Sequence, residues 1–168
     1  MNISIIGTGY VGLVSGTCFS EFGFNVTCID KDKNKIDNLN KGLIPIYEPS
    51  LEDLVKKNVK AKRLFFSNKL SEDFKNSDAI FIAVGTPTNI ENNKADLKYV
   101  FQVTNQLKKY INNYKVIVTK STVPVTTGDK IEKILSKQKT KKLIDVVSNP
   151  EFLIASFKFV VNISLFLL

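Results

Sequence analysis

At 168 residues, the chain is long enough for one domain that buries about two thirds of the surface its unfolded form exposes. Its 43% hydrophobic and 24% charged residues are ordinary for a globular protein, which argues against disorder. The net charge of +8 comes from lysines spread along the chain, with no accompanying aromatic-basic motif. This argues against a nucleic-acid-binding protein and favours a solvated basic surface that suits an anionic, phosphate-bearing substrate.

The cysteine and histidine content narrows the chemistry further. The two cysteines, Cys18 and Cys28, fall on a predicted helix and a predicted strand, where both are expected to be small buried apolar residues. The absence of histidine removes the commonest general base and the commonest metal ligand, and we predict no metal site. No signal peptide precedes the first strand and two cysteines do not make a disulfide framework, so the expected compartment is the cytoplasm.

A glycine-rich turn follows the first apolar run of the chain. Residues 3–12 read ISIIGTGYVG, a predicted strand that leads into a Gly-x-Gly-x-x-Gly turn. Gly7 would allow the tight turn, Gly9 would let the backbone approach a pyrophosphate, and Gly12 would let the next helix pack close to the sheet. After the turn, apolar residues recur at the spacing of a helix: Val11, Leu13, Val14, Cys18 and Phe22. The start of this helix favours phosphate groups, so the turn predicts a dinucleotide-binding site.

A second predicted strand ends at an acidic residue. Residues 24–29 read FNVTCI and are followed by Asp30, 18 positions after Gly12. A carboxylate about 20 positions after the last glycine binds the adenosine ribose hydroxyls in this kind of unit. Since a carboxylate accepts hydrogen bonds from a 2′-hydroxyl and repels a 2′-phosphate, Asp30 favours NAD over NADP.

Three lysines close to Asp30 complicate that choice, because a nearby cation can offset the repulsion of a phosphate. They are Lys31, Lys33 and Lys35. At least two of them are expected to belong to a solvated helix start. Lys35 is the one that we predict to contact the cofactor.

Strands and helices alternate along the rest of the chain. Further strands are predicted at residues 64–66, 79–84, 116–119 and 143–147, and helices at residues 33–39, 99–112 and 127–136. Another helix is predicted to begin after Ser50, with Ser50 as its N-cap and an apolar face of Leu51, Leu54 and Val55. This alternation predicts an α/β fold with a doubly wound, mostly parallel sheet and helices on both faces.

Polar loops follow three of the predicted strands. Residues 85–88 read GTPT, residues 120–124 read KSTVP and residues 148–153 read SNPEFL. In a doubly wound sheet, ligands bind outside the carboxyl ends of the strands. Each loop alone is an ordinary turn sequence. Three of them at one edge, beside the glycine turn, predict a common ligand site.

Five segments in this order closely resemble the N-terminal domain of the UDP-glucose 6-dehydrogenase family, which is grouped with GDP-mannose and related nucleotide-sugar dehydrogenases. They read GTGYVGLVSGTCFSEFGFNVTCIDKD, IPIYEPSLEDL, VGTPT, KSTVPVTTG and SNPEFL. The resemblance covers residues 1–153 and implies a Rossmann-type NAD-binding domain. It also implies oxidation of the C6 hydroxyl of a nucleotide sugar to a carboxylate with two NAD molecules, UDP-glucose to UDP-glucuronate being the foremost case.

The resemblance assigns roles to matching positions. The cofactor-binding residues that it implies are Gly7, Gly9, Tyr10, Val11, Gly12, Asp30, Lys35, Thr86 and Thr122. Among them, the glycine turn would hold the pyrophosphate, Asp30 and Lys35 the adenosine ribose, while Thr86 and Thr122 would line the nicotinamide side. Thr122 and Glu151 are the implied catalytic positions, because in the family they serve the chemistry around a bound water.

The match to the family ends shortly after Glu151. The family continues with Arg-Glu-Gly, whereas this sequence reads Ile154-Ala155-Ser156, so Ala155 replaces a second, cofactor-contacting glutamate. Residues 154–168 form an apolar tail where the family has its central dimerising helix and C-terminal domain. We interpret the tail as the product of a frameshift or a premature stop. Its apolar part is too short for a bilayer, which takes about 20 residues to cross, so no membrane partner is expected.

This divergence bears on activity. The family's nucleophilic cysteine, which forms the thiohemiacetal for the second oxidation, has no counterpart in this sequence, and Cys18 and Cys28 lack its context. We therefore expect the chain to bind NAD with little or no turnover of its own. Two alternatives to the NAD-binding half of a UDP-glucose 6-dehydrogenase stay open. One is a non-catalytic NAD-binding remnant, and the other is the equivalent domain of a GDP-mannose or UDP-N-acetylmannosamine dehydrogenase.

Overall fold

The computed structural model describes residues 1–70, 72–91, 93–136 and 143–150. At its centre is a six-stranded parallel sheet with the strand order β3-β2-β1-β4-β5-β6. The strands are β1 (Asn2–Ile6), β2 (Asn25–Ile29), β3 (Leu64–Ser67), β4 (Ala79–Ile82), β5 (Lys115–Thr119) and β6 (Ile144–Ser148). Two βαβ halves that wind outward from the central strands produce this order, so the predicted doubly wound α/β fold is confirmed.

Helices cover both faces of the sheet. They are α1 (Tyr10–Glu21), α2 (Lys33–Asn40), α3 (Leu51–Lys60), α4 (Lys98–Leu107) and α5 (Thr127–Leu135), with short 3-10 segments at Glu72–Asn76 and Lys108–Tyr110. Side chains alternate along β1, so Ile3 and Ile5 join a core cluster with α1, α2 and α3, and Ile6 joins a second cluster with α4 and α5. In the described ranges, no helix has the length and apolar character needed to cross a bilayer.

The predicted start of α3 is confirmed but its cap differs, and the predicted end of α4 is wrong. Ser50 does precede α3, but it has φ 65° and its side chain makes no capping hydrogen bond. Helix α4 ends at Leu107, short of residue 112, and the chain continues as a 3-10 turn. With this tighter turn, the Tyr110 hydroxyl donates to the Leu70 carbonyl at 2.9 Å. The end of α4 thus coincides with a tertiary contact that local sequence does not encode.

A buried lysine fastens β5 to the segment before β4. The ammonium group of Lys115 donates to the carbonyl oxygens of Lys75 at 2.7 Å and Ser77 at 2.8 Å, and to Oδ1 of Asn113 at 2.6 Å. Burial lowers the pKa of Lys115, and the charge of Asp78 opposes that effect. Three acceptors replace the water around the ammonium, so this side chain is part of the structure at the amino-terminal end of β5.

Both cysteines are buried free thiols, as predicted, and they lie in the same core cluster. Burial raises the pKa of Cys18, and the charges of Glu21 and Glu48 raise it further. Burial raises the pKa of Cys28 to about 12. The two thiols are therefore protonated at neutral pH, and neither is the thiolate that covalent oxidation of an aldehyde needs.

Candidate functional site

The glycine turn between β1 and α1 contains three glycines with different surroundings. Gly7 has φ 104°, and a Cβ on it would lie 2.5 Å from the Ala83 carbonyl oxygen. A Cβ on Gly12 would lie 1.9 Å from the Gly7 carbonyl oxygen, so the fold itself requires glycine at both positions. Gly9 has φ −70°, and a Cβ on it would meet nothing within 4 Å. Gly9 therefore borders open space, which is where a dinucleotide's pyrophosphate fits.

The first backbone amides of this turn donate to neighbouring residues of the protein, and the next ones form the start of α1. The Gly7 amide donates to the last carbonyl of β2 at 2.7 Å, and the Thr8 amide donates to Oδ2 of Asp30 at 2.9 Å. The first backbone hydrogen bond of α1 runs from Leu13 to Gly9 at 2.9 Å. Amides that precede it have no acceptor within the helix, and the helix dipole is positive at this end. An anionic ligand beside Gly9 would meet both features.

Asp30 directly follows β2, and its carboxylate is bound to the glycine turn. Oδ2 accepts from the amide and the hydroxyl of Thr8, both at 2.9 Å, and from the Lys35 ammonium at 3.2 Å. Oδ1 accepts from the Asp32 amide at 3.1 Å. Burial acts to raise the pKa of Asp30, but the hydrogen bonds from Thr8 and Asp32 and the charge of Lys35 outweigh it, so the pKa lies below its ordinary value. Asp30 is thus ionised at neutral pH, on the same side of the molecule as the glycine turn.

A cavity of about 590 Å³ lies beside Asp30. Its lining includes Gly9, Asp30, Lys35, Leu70, Tyr99 and Val103. Lys31 also lines it, with its ammonium 4.4 Å from the centre of the Tyr99 ring. The volume is within the range of about 300–1,000 Å³ that small-molecule sites occupy. Apolar side chains next to a carboxylate suit an aromatic ring joined to a hydroxylated sugar, as in adenosine.

A second cavity, of about 390 Å³, also borders Gly9. The predicted site residues that line it are Gly9, Tyr10, Val11, Thr86 and Thr122. The Tyr10 hydroxyl donates to Oε2 of Glu48 at 2.5 Å, which ties the start of α1 to the proline-rich segment before α3. Gly9 is thus shared by two cavities, an arrangement that fits a ligand with two halves joined by a diphosphate.

The loops after β4 and β5 are joined by side-chain hydrogen bonds. The Ser121 hydroxyl donates to the Val84 carbonyl at 2.6 Å. The Thr86 hydroxyl donates to the Thr122 carbonyl at 3.2 Å. The two threonines of the predicted nicotinamide side therefore lie next to each other, on loops that hold one another in place.

The loop after β6 reaches the same edge of the sheet. Lys120 is only 6% exposed, and its ammonium donates to Oδ1 of Asn149 at 3.1 Å. The Asn149 amide donates to the Thr119 carbonyl at 3.0 Å. The prediction that three polar loops meet at the carboxyl edge is confirmed for the described residues. Glu151, the other predicted catalytic position, lies outside the described residues, as does the tail at residues 154–168.

Three residues of the site were missed in the sequence: Thr8, Tyr99 and Lys120. Thr8 lies between two glycines of the turn, and its hydroxyl group could have indicated a donor for a nearby carboxylate. Tyr99 is 68 positions from its partner Lys31, and no local pattern connects them. Lys120 precedes the STVP segment, but a lysine in a loop is ordinarily solvated, and only the structure shows it buried.

A doubly wound parallel sheet with a glycine turn, an acidic residue at the end of the next strand and a cavity on each side of Gly9 defines a dinucleotide-binding domain of the dehydrogenase type. A family model described as UDP-glucose/GDP-mannose dehydrogenase family, NAD binding domain, matches residues 1–160. The chain belongs to this family, whose cofactor is NAD, and the resemblance seen in the sequence is confirmed.

Individual relatives agree with the family match. A UDP-glucose 6-dehydrogenase of Rhizobium meliloti is 50% identical over 153 residues, which cover 91% of this chain and 35% of the relative. UDP-glucose 6-dehydrogenase TuaD of Bacillus subtilis is 54% identical over 152 residues, which cover 90% of this chain and 33% of the relative. The chain spans about a third of the length of these curated relatives.

Solved structures show the same fold. A UDP-glucose dehydrogenase from Pyrobaculum islandicum superposes with a TM-score of 0.83 at 33% identity, covering 90% of this chain and 36% of that chain. A GDP-mannose dehydrogenase from Pseudomonas aeruginosa, solved as a ternary complex, gives a TM-score of 0.79 at 35% identity, covering 91% of this chain and 36% of that chain. The described strands and helices are therefore those of a nucleotide-sugar dehydrogenase's NAD-binding part.

Proposed function

We propose that this chain is the NAD-binding part of a UDP-glucose 6-dehydrogenase, which oxidises the C6 hydroxyl of a nucleotide sugar to a carboxylate. The observation that carries the proposal is the Asp30 carboxylate, held at the glycine turn by two hydrogen bonds from Thr8. NAD fits this site on two counts. The open space at Gly9 has room for a diphosphate, and Asp30 accepts hydrogen bonds from a ribose hydroxyl while it repels a 2′-phosphate.

The proposed cofactor contacts divide between the two cavities. The larger cavity would take the adenosine, with Asp30 and Lys35 at its ribose, and the glycine turn would take the diphosphate. The smaller cavity would take the nicotinamide ribose and ring, beside Thr86 and Thr122. When bound, the nicotinamide supplies the acceptor for the hydride that leaves C6 of the sugar. The protein's part is to hold that acceptor at the carboxyl edge of the sheet, where the three polar loops meet.

Thr122 and Glu151 are the proposed catalytic positions. Thr122 is exposed and lines the smaller cavity, and its backbone is held by the hydroxyl of Thr86. Glu151 comes two residues after Asn149, which is bound to this edge by Lys120. A carboxylate there would act as a base towards a water molecule. The buried, protonated thiols do not supply the nucleophile of the second oxidation, so the chain by itself is expected to bind NAD without turning over UDP-glucose.

UDP-glucose is the substrate that we propose first within the nucleotide-sugar class. The support for this choice is that the relatives half identical to this chain are UDP-glucose 6-dehydrogenases. We propose that residues 1–153 form the NAD-binding domain. We also propose a cytoplasmic location, in keeping with two unpaired thiols. The whole enzyme is proposed to form a dimer through the family's central helix.

The test is calorimetric titration of the purified chain with NAD and then with NADP. We expect a dissociation constant for NAD between about 1 μM and 1 mM, much weaker binding of NADP, and loss of NAD binding in Asp30→Ala. Addition of UDP-glucose with NAD should give no NADH absorbance. Absence of NAD binding by a folded chain would refute the proposed site, and steady NADH formation would refute the binding-only role of the isolated chain.

A further inference from the structure

We infer that Thr8 is a positioning residue for cofactor selection, because its amide and hydroxyl fix the Asp30 carboxylate with Oδ1 left to accept a ribose hydroxyl. The inference rests on the proposed NAD site. It adds a residue from the variable position of the glycine turn, and it gives that residue a role in the choice between NAD and NADP.

The first step is a count of the acceptors on Asp30. An ionised carboxylate has about four lone-pair sites, two on each oxygen. Oδ2 takes three donors, the two from Thr8 and the Lys35 ammonium, and so it is fully used. Oδ1 takes one donor from the described residues, the Asp32 amide. The remaining acceptor capacity of Asp30 therefore lies on Oδ1.

The second step is to ask which donor holds this orientation. The Thr8 side chain belongs to a residue that is 1% exposed, and its hydroxyl lies 2.9 Å from Oδ2. The Lys35 side chain is 30% exposed, and its ammonium lies 3.2 Å from the same oxygen. Water can replace the lysine but cannot easily reach the threonine. Both donors serve the same charged acceptor, but Thr8 is buried and supplies two hydrogen bonds, so Thr8 is the firmer of the two anchors.

The third step connects the anchor to selection. With Oδ2 fixed by Thr8, the negative charge stays at the ribose end of the cavity, where a 2′-phosphate would meet it. If the hydroxyl is lost, Oδ2 keeps only the Thr8 amide and the exposed Lys35 ammonium, so the carboxylate is held less firmly and Lys35 can turn its ammonium towards a phosphate instead. Loss of the Thr8 hydroxyl should therefore weaken NAD binding and reduce the preference for NAD over NADP.

The experiment compares Thr8→Val, which keeps the shape and the amide but removes the hydroxyl, with Thr8→Ser, which keeps the hydroxyl. Dissociation constants for NAD and NADP are measured for the full chain by calorimetry, in the wild-type and Asp30→Asn backgrounds. We expect Thr8→Val to weaken NAD binding about 10-fold and NADP binding less than about 3-fold, whereas Thr8→Ser stays within about 2-fold of wild type. In the Asp30→Asn background, Thr8→Val should have less than about a 2-fold effect.

A ligand-free measurement separates this inference from the proposed function. Carboxyl ¹³C NMR titration should show a higher pKa for Asp30 in Thr8→Val than in wild type or Thr8→Ser, with unchanged thermal unfolding as evidence of intact folding. An unchanged Asp30 pKa, or an equal loss of NAD affinity in both backgrounds, would overturn the role of Thr8. Failure of wild type to bind NAD would instead overturn the proposed function, and the titration would still decide whether Thr8 anchors the carboxylate.

Discussion

Replacement of Gly9 and Gly12 by alanine should separate the needs of the ligand from the needs of the fold. A Cβ at residue 12 would lie 1.9 Å from the Gly7 carbonyl oxygen, and real Cβ atoms essentially never come within 3.0 Å of another heavy atom in this way. The start of α1 and the turn would have to move apart by roughly 1 Å, and crowding of this kind typically costs about 1–3 kcal/mol.

The expected change in stability follows from two opposed contributions. Alanine at residue 12 gains up to about 1 kcal/mol of helix propensity, which offsets part of the steric cost. We therefore expect Gly12→Ala to lower the free energy of unfolding by about 1–2 kcal/mol, which lowers the melting temperature of a domain of this size by about 2–8 °C. At Gly9 no atom opposes a Cβ, and only the poorer N-cap acts, so Gly9→Ala should cost less than about 1 kcal/mol.

The assay pairs thermal and urea unfolding with calorimetric titration of NAD. Gly9→Ala should keep its melting temperature near that of wild type while its NAD affinity falls at least about 10-fold, because the added methyl group occupies the space proposed for the diphosphate. Gly12→Ala should lose both stability and affinity. Gly128→Ala is the control, since its Cβ would make an ordinary contact at 3.9 Å and neither property should fall. The reasoning is refuted if Gly9→Ala binds NAD like wild type, or if Gly12→Ala is as stable as wild type.

Three further outcomes can be checked separately. Lys115→Met should lower the free energy of unfolding by about 2 kcal/mol in urea titrations, because the buried Ser77 carbonyl and two less buried acceptors lose their donor; a loss below about 1 kcal/mol would contradict this. Gly16→Ala, whose Cβ would lie 2.4 Å from Sγ of Cys28, should be destabilised, and Cys28→Ala should restore part of the loss in a double-mutant cycle. Asp30 has a lowered pKa when folded, so its contribution to stability is present above about pH 4 and is lost as the pH falls through the folded pKa. Asp30→Asn should therefore reduce the fall in melting temperature between neutral and acidic pH. A fall as large as that of wild type would contradict this contribution.

The sequence predicts the β1-α1-β2 unit well, because each signal there is local and sterically demanding. Gly7 and Gly12 are positions where the backbone leaves no room for a Cβ, so the motif reports the fold directly. Asp30 follows a strand whose apolar residues are buried, and the parallel sheet places the end of that strand beside the turn. Local pattern and tertiary structure agree throughout this unit, which makes it readable from residues alone.

Other parts of the site depend on contacts between distant residues and could not be read locally. Lys31 meets Tyr99, and Lys120 meets Asn149, only because the sheet brings their loops together. The prediction of Ser50 as the N-cap of α3 was right about its position but wrong about its capping hydrogen bond, for a local reason. Its backbone turns into the left-handed region, and its hydroxyl therefore makes no cap to α3, although serine is a common N-cap. Propensity identified where the helix begins, but the backbone angle decided how it begins.

The hydrogen bonds from Ser121 to Val84 and from Thr86 to Thr122 have a consequence for chimaeras made between homologous enzymes. A crossover placed anywhere between residues 86 and 121 would take one loop from each parent, and both hydrogen bonds would survive only where the two parents carry hydroxyl residues at the positions of Thr86 and Ser121. Crossovers outside that interval would inherit both loops from a single parent. Grafting experiments that aim to change sugar or cofactor preference should therefore exchange the two loops as a pair.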